Sequence, residues 1–296
     1  MLTRAYLPGI LFAAATLVAG MASSASPTTP VAPRVVADAI DHPIQLDGEI
    51  ADWEGVTGTV VPLSGQGGAD RLEMRAAIRD DRIYVLVIWD DTSKNDLHKP
   101  YKWSEALQTY KKTDLMEDRF ALSMRISGDF TANKLDGSEF TADVWHWKAN
   151  RSNPIGLAHD KSWRVSRTPF EKSRAFETEN GGVVHMERPG DAGDRLYKVV
   201  RHYARKGEIM PLYELDGEAR GSIADVQANG VWRDGRWYLE LSRLLDTGHD
   251  DDAVIPANGT MPFAIALFDG VSNNIVDGGA HSVSELLLLE TRAASS

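Results

Sequence analysis

The sequence predicts an all-β fold: an antiparallel immunoglobulin-like or carbohydrate-binding-module-like β-sandwich with long irregular insertions. Three observations predict it. Segments alternating apolar and polar residues with period two recur along the chain, as in Phe120, Leu122, Met124 and Ile126 against Arg119, Ser123 and Arg125. Turn signals such as Asp80-Asp81 and Asp234-Gly235 bound these segments. Helical periodicity is scarce, and roughly ten strands are expected.

The 296 residues suffice for one large all-β domain. At the start, Arg4 is followed by the apolar stretch Ala5 to Met21 and the small residues Ala22-Ser-Ser-Ala25, the pattern of a cleaved secretory signal over residues 1–26. A Pro/Thr-rich leader over 27–34, a domain over 35–290 with an insertion at 150–220, and a tail over 291–296 complete the expected organisation. No later apolar run approaches the roughly 18 to 20 residues of a membrane span. The mature chain is therefore expected in the periplasm, with no membrane span. Cysteine is absent, which excludes disulfides, thiolate zinc sites, iron–sulfur clusters and thioether-attached cofactors. Net charge is −11 with no basic cluster, so nucleic acid is not an expected partner.

Order is expected to begin at Arg34 to Ala37 and Pro43 to Leu46. Asp47-Gly48 then turns the chain, and Trp53 offers a large apolar plug. Leu72 to Arg79 and Arg82 to Asp90 read as a hairpin, rich in β-branched and aromatic residues. From Asp91 to Glu117 the composition is polar, an excursion with one short helix. The strand Asp118 to Ile126 turns Met124 inward, as core filler or as a ligand. In Phe140 to Ala149, Val144, His146 and Lys148 share one face and Trp145 and Trp147 the other. The two indoles suit either a flat ligand, sugar or porphyrin, or the cap of a core; His146 is a candidate ligand on a face that Lys148 marks as wetter.

Residues 150–220 lose regularity, and His159, His185 and His202 read as solvated side chains among charges. Pattern returns from Ala224 to Leu244, a hairpin about Asp234-Gly235, followed by the acidic loop Gly248 to Asp252, whose carboxylates suit calcium but read more simply as a solvated turn. The last pair of strands, Met261 to Asp269 and His281 to Glu290, is joined by the Gly-rich loop Gly270 to Ala280. Alternation sets His281 on the face of Val283, Leu287 and Leu289, as a hydrogen-bonded core histidine or as a ligand.

Several runs, in order, resemble the haem-binding subunit of ethylbenzene dehydrogenase and of its relatives such as dimethylsulfide dehydrogenase, the b-type cytochrome subunits of periplasmic molybdopterin enzymes. They are Leu46-Asp-Gly-Glu-Ile-Ala-Asp-Trp53, Glu117-Asp-Arg-Phe-Ala-Leu122, Asp143-Val-Trp-His-Trp-Lys148, Asn153-Pro-Ile-Gly156, Gly230-Val-Trp-Arg-Asp-Gly-Arg-Trp237 and Ser242-Arg-Leu-Leu-Asp-Thr-Gly-His249. The resemblance implies a β-sandwich with haem b between its sheets and methionine and lysine as axial ligands. The methionine falls on Met124, with Met116 close by. No lysine follows Lys206, and His281 stands where the family's lysine would be. The expected iron ligands are thus Met124 and His281, with Trp145, Trp147 and His146 around a haem b held non-covalently. The implied role is electron transfer, not catalysis, beside a molybdopterin catalytic subunit and an iron–sulfur subunit, with a soluble redox acceptor or donor. The alternative is a secreted carbohydrate-binding module gripping sugar through Trp145 and Trp147. No Gly-x-Ser-x-Gly or His-Glu-x-x-His run supports a hydrolase.

Overall fold

The structure is a computed structural model and describes residues 32–66, 68–270 and 281–294. The signal segment, most of the leader and the loop from 271 to 280 lie outside the described residues. Among the described residues no helix is long and apolar enough to cross a membrane.

The first half of the chain supplies β1 (Arg34–Ala39), β2 (Thr59–Pro62), β3 (Ser64–Gly65), the hairpin β4 (Arg71–Arg79) and β5 (Arg82–Asp90), the short hairpin β6 (Tyr101–Ser104) and β7 (Thr109–Lys112), then β8 (Arg119–Gly128) and β9 (Phe140–Lys148). The region expected to be irregular carries β10 (His159–Ser166), β11 (Arg174–Glu177), β12 (Val183–Glu187), β13 (Tyr197–Val199), β14 (Ile209–Met210) and β15 (Tyr213–Leu215). The end of the chain adds β16 (Gln227–Arg233), β17 (Arg236–Leu244), β18 (Asn258–Phe268), β19 (His281–Val283) and β20 (Leu287–Arg292).

Hydrogen bonding threads the long strands in the order β11-β12-β10-β9-β8-β18-β20-β1-β4-β5-β17-β16. The pairings are antiparallel except at β1, which runs parallel to both β20 and β4. At this seam the sheet turns back on itself, so that β8, β9 and β18 face β4, β5 and β17 across one core. The inward rows are those that alternation selects: Phe120, Leu122 and Met124 on β8, Phe263, Ile265 and Leu267 on β18, and Val85, Val87 and Trp89 on β5. Trp89 stacks on Phe120 at 6.2 Å and on Trp237 at 6.1 Å, and Trp147 meets Trp237 edge-on at 5.0 Å. The all-β sandwich expected from alternation is thus the fold.

Three details depart from expectation. The region 150–220 is not a bare insertion, because β10 pairs with β9 along its whole length, from His159↔His146 to Val165↔Phe140. The 91–117 excursion forms the β6-β7 hairpin instead of a helix. The last strand is broken: Ser284 Oγ accepts from the Ile265 amide at 2.9 Å, a side chain standing in for a ladder carbonyl, and residues 284–286 leave the ladder. The break moves His281 to the opposite face from Leu287 and Leu289, against the expectation that the three share one.

Trp53 plugs the outer face of the β4-β5-β17 half, fully buried with Ile44, Ala77 and Leu86. Its indole donates to Glu240 Oε1 at 2.8 Å while the Gly48 amide donates to Oε2 at 2.6 Å. Gly48 holds a φ of +82°, which favours glycine in the Asp47-Gly48 turn. Within the core, Asn153 ties β9 to β16: its Oδ1 accepts from Trp147 Nε1 at 2.8 Å and from the Gly230 amide at 2.6 Å. A Cβ on Gly230 would stand 2.4 Å from the Trp147 ring. Gly230→Ala is therefore expected to cost about 1–3 kcal/mol by overpacking. Urea titration reads the loss, and near-ultraviolet circular dichroism reads the shifted indoles.

Candidate functional site

Alternation along β8, β9 and β18 sends apolar rings inward and chemistry outward. Strand register aligns the outer face in rows. Lys148, Arg119, Phe268 and His281 form the first, and His159, His146, Ala121, Ala266 and Val283 the second. Lys161, Val144, Ser123 and Ala264 form the third. The middle of this face is a floor of small side chains, with Ala121, Ser123 and Ala264 all buried. Nitrogen groups rim it. The Phe268 ring lies 6.1 Å from the His146 ring and 5.6 Å from that of His281, with the Arg119 guanidinium 4.3 Å above it.

At the β9-β10 side the rim is closed over by side chains from β13 and β15. Lys148, only 3 % exposed, sits 2.6 Å from His159 Nδ1 and donates to the Tyr197 hydroxyl at 3.2 Å. Tyr197 packs edge-on against His159 at 5.7 Å and against Tyr213 at 5.1 Å. Behind them Glu117 is fully buried and accepts from Arg151 Nε at 2.5 Å and from the amides of Asn150 and Arg151, with His98 Nδ1 3.2 Å away. Burial pushes the Glu117 carboxyl up, but the His98 contact and the Arg151 charge outweigh it and hold the group down at about 2.

The other groups move the opposite way. Burial, reinforced by Arg151 and Lys161, drives Lys148 well below the usual amine range. Burial and the Lys148 charge push His159 down to about 2, and burial with Lys148 and Arg119 drives His146 well below the imidazole range. Burial thus disfavours the charged form of all three nitrogen bases, and a proton on any one of them disfavours charge on its neighbours. His146 Nε2 and His159 Nε2 are buried and make no hydrogen bond. Lone pairs on neutral nitrogen, desolvated and unengaged, are what a soft or borderline metal takes as ligands.

The expected site residues are distributed unevenly. His146 and His281 share the outer face. Met124 points the other way, into the core, and lines with Met74, Leu122, Trp145 and Phe263 a cavity of about 10 Å³, room for one water at most. Met124 and His281 therefore stand on opposite faces and do not meet at one iron. Trp145 and Trp147 are 1 % and 0 % exposed, core residues that neither a sugar nor a porphyrin can reach without opening the sandwich. Met116 lies in the segment before β8, where its carbonyl borders Gly270. His159, expected to be solvated, belongs to the site. So does Lys148, read from sequence only as a mark of wetness; the signal was its two-residue spacing from His146 on a strand.

The arrangement is a β-sandwich with a closed aromatic core and nitrogen groups gathered on one outer face. The chain belongs to the ethylbenzene dehydrogenase family, whose sequence profile matches residues 51–279. No curated protein matches it. Among solved structures it is similar to a family 9 carbohydrate-binding module from Caldicellulosiruptor kristjanssonii in complex with glucose, at 12% identity over 89% of this chain and 97% of that one, TM-score 0.41. The cellotriose complex of such a module from the same organism gives 14% identity over 89% of this chain and 95% of the other, also at TM-score 0.41.

Lys148 makes the neutral-base reading testable through linkage. Burial holds the folded amine well below its unfolded value of 10.5, so just below that pH the unfolded state binds more protons than the folded one. The contribution is full above pH 10.5 and is lost as pH falls, by about 1.4 kcal/mol per unit until the folded amine protonates. Lys148→Met removes this slope. The variant is expected to be more stable than the parent at pH 7 and to converge with it toward pH 10, read by denaturant midpoints across that range.

Proposed function

We propose that the chain is a periplasmic b-type cytochrome subunit that binds one haem non-covalently and relays electrons to or from a molybdopterin enzyme. Family membership supports the oxidoreductase setting, and the absence of cysteine requires a non-covalent cofactor. The observation that carries the reading is the buried Nε2 of His146, without a hydrogen-bond partner, on the same strand face as the Lys148 amine, whose charge burial disfavours.

The fit differs between the two faces. The interior at Met124 is too small for a porphyrin, whereas the donor set of the outer face suits one. His146 would supply the iron nitrogen, with Lys148 and His281 as the further nitrogen groups of that face. Arg119 and Lys161 would meet the propionates, and Ala121, Ala264 and Ala266 would form an apolar floor without bulk. Bound there, a haem supplies one-electron redox chemistry, and the chain's residues set its potential through ligand identity and burial. Protein groups do no bond-making, so partners must supply it: a molybdopterin catalytic subunit, an iron–sulfur subunit and a soluble redox acceptor or donor. The signal-like pattern of the first 26 residues supports a periplasmic setting for this exchange. The sugar-binding alternative loses its stacking surface, since Trp145 and Trp147 are core.

The test is haem reconstitution of the full chain followed by absorption spectroscopy. A Soret band with a low-spin α/β pattern at one haem per chain is expected. His146→Ala is expected to weaken haem retention at least tenfold or abolish the low-spin spectrum, and Met124→Leu to leave it unchanged. Loss of the low-spin spectrum in Met124→Leu but not in His146→Ala would move the cofactor into an opened core. Failure of the parent chain to take up haem would overturn the function.

A further inference from the structure

A second group of buried titratable residues stands on the other face of β9. Asp143 and Asp160 point into the sandwich from neighbouring strands, diagonal to each other in the ladder, and are fully buried. Asp252, 5 % exposed, reaches them from the loop after β17, and Asp191, 7 % exposed, acts on them through its charge from the segment after β12. Carboxylate oxygens of Asp143, Asp160 and Asp252 all lie within 4.8 Å of one another.

One cation faces them from within the core. Arg243 Nη1 donates to Asp143 Oδ2 at 2.5 Å and lies 3.1 Å from Asp252 Oδ1; Nη2 donates to the Ala253 carbonyl at 2.5 Å, and the guanidinium rests 5.0 Å from the Trp145 ring centre. Lys161 exerts its charge on Asp191, and His249 Nδ1 stands 3.9 Å from Asp252 Oδ2 while bound at 2.7 Å to Asp225. Four buried carboxylates against one buried guanidinium leave a negative excess that a low-dielectric interior does not tolerate.

The hydrogen bonds do not remove it. Asp143 Oδ2 accepts from Arg243 and the Ala253 amide, Asp160 Oδ1 from the Lys161 amide, and Asp252 Oδ2 from Thr247. Asp143 Oδ1 and Asp160 Oδ2 are buried without a hydrogen-bond partner. Burial pushes Asp191 up to about 8, with Asp251 adding to it and the Ser162 hydroxyl offsetting part. Oxygens at these separations can share one ion at the 2.3–2.6 Å typical of calcium, and an all-carboxylate set selects a hard cation.

We propose that Asp143, Asp160 and Asp252 hold one divalent cation of the calcium class. The ion fastens the loop after β17 onto β9 and β10, where the sheets meet through Arg243. Calcium is favoured over magnesium because the donors are protein carboxylates in a dry cage, whereas magnesium keeps several waters.

The full chain, stripped with chelator and returned to buffer at pH 7.5, is titrated with calcium, magnesium or manganese chloride, with sodium chloride as an ionic-strength control. Calcium is expected to bind at about one ion per chain by calorimetry and to raise Tm by about 5 °C or more at a hundredfold excess over Kd. Asp160→Asn, which keeps shape and removes one buried charge, is expected to fold, to match or exceed the metal-free parent in Tm, and to lose the calcium response. A parent Tm indifferent to all three metals but rising as pH falls from 8 to 6, with Asp160→Asn flat over that range, would overturn the proposal: protons would then balance the cluster. Neither outcome depends on haem.

Discussion

The packing of Trp89, Phe120, Trp147 and Trp237 is the contact on which the rest of the molecule depends. Four large rings from β5, β8, β9 and β17 meet at 5.0–6.2 Å and lock the two halves of the turned sheet together. Each aromatic side chain buries a large apolar area, so the cluster supplies much of the driving force for closing the sandwich. A core filled this way has no slot for a flat cofactor. Period-two alternation then dictates the remainder: any chemistry carried by β8, β9 or β18 falls on the outer face or at the ends of the sandwich.

β9 acts as the partition. Asp143, Trp145 and Trp147 face inward, and Val144, His146 and Lys148 outward, so one strand carries the wall of a carboxylate cage on one side and of a nitrogen-rich pocket on the other. Asn153, Gly230 and Trp147 fix this strand against β16, where only glycine leaves space for the indole. Runs of the family resemblance fall at these points: Asp143 to Lys148 is β9 itself, Asn153 is the tie, Gly230 is the gap, and Arg243 is the cation of the carboxylate cage. These short runs are thus packing and charge constraints as much as cofactor ones.

Much of the fold was legible because it follows from local alternation and turn chemistry. The β4-β5 hairpin, the inward row of β8 and the Asp234-Gly235 turn needed nothing beyond neighbours in sequence. What was hidden depends on distant residues. The parity of His281 changed because Ser284 replaces a ladder carbonyl, a substitution visible only once β18 is alongside. β10 escaped notice because its strand His159–Ser166 is charged; its Asp160 and Lys161 are accommodated by Arg243 and by the 188–191 segment, far away in sequence. Lys148 and His159 looked like solvated charges for the same reason. Their burial is imposed by Tyr197 and Tyr213, from a region with no period of its own.

The two buried clusters place opposite demands on the protein. Lys148 favours the fold as pH rises toward 10.5. A raised carboxyl such as Asp191, at about 8, favours it below pH 3.8, and that contribution is lost as pH rises through its folded value. At neutral pH burial therefore opposes charge in both clusters, charge that the unfolded chain would carry. A ligand relieves this cost differently in each cluster. A metal drawing on the nitrogen face uses the unprotonated lone pairs that burial favours. A divalent cation among Asp143, Asp160 and Asp252 displaces the protons that burial favours there, and offsets the desolvation of the carboxylates by direct coordination. The same burial that makes these groups costly in the bare chain is what prepares them for ions that the chain does not itself contain.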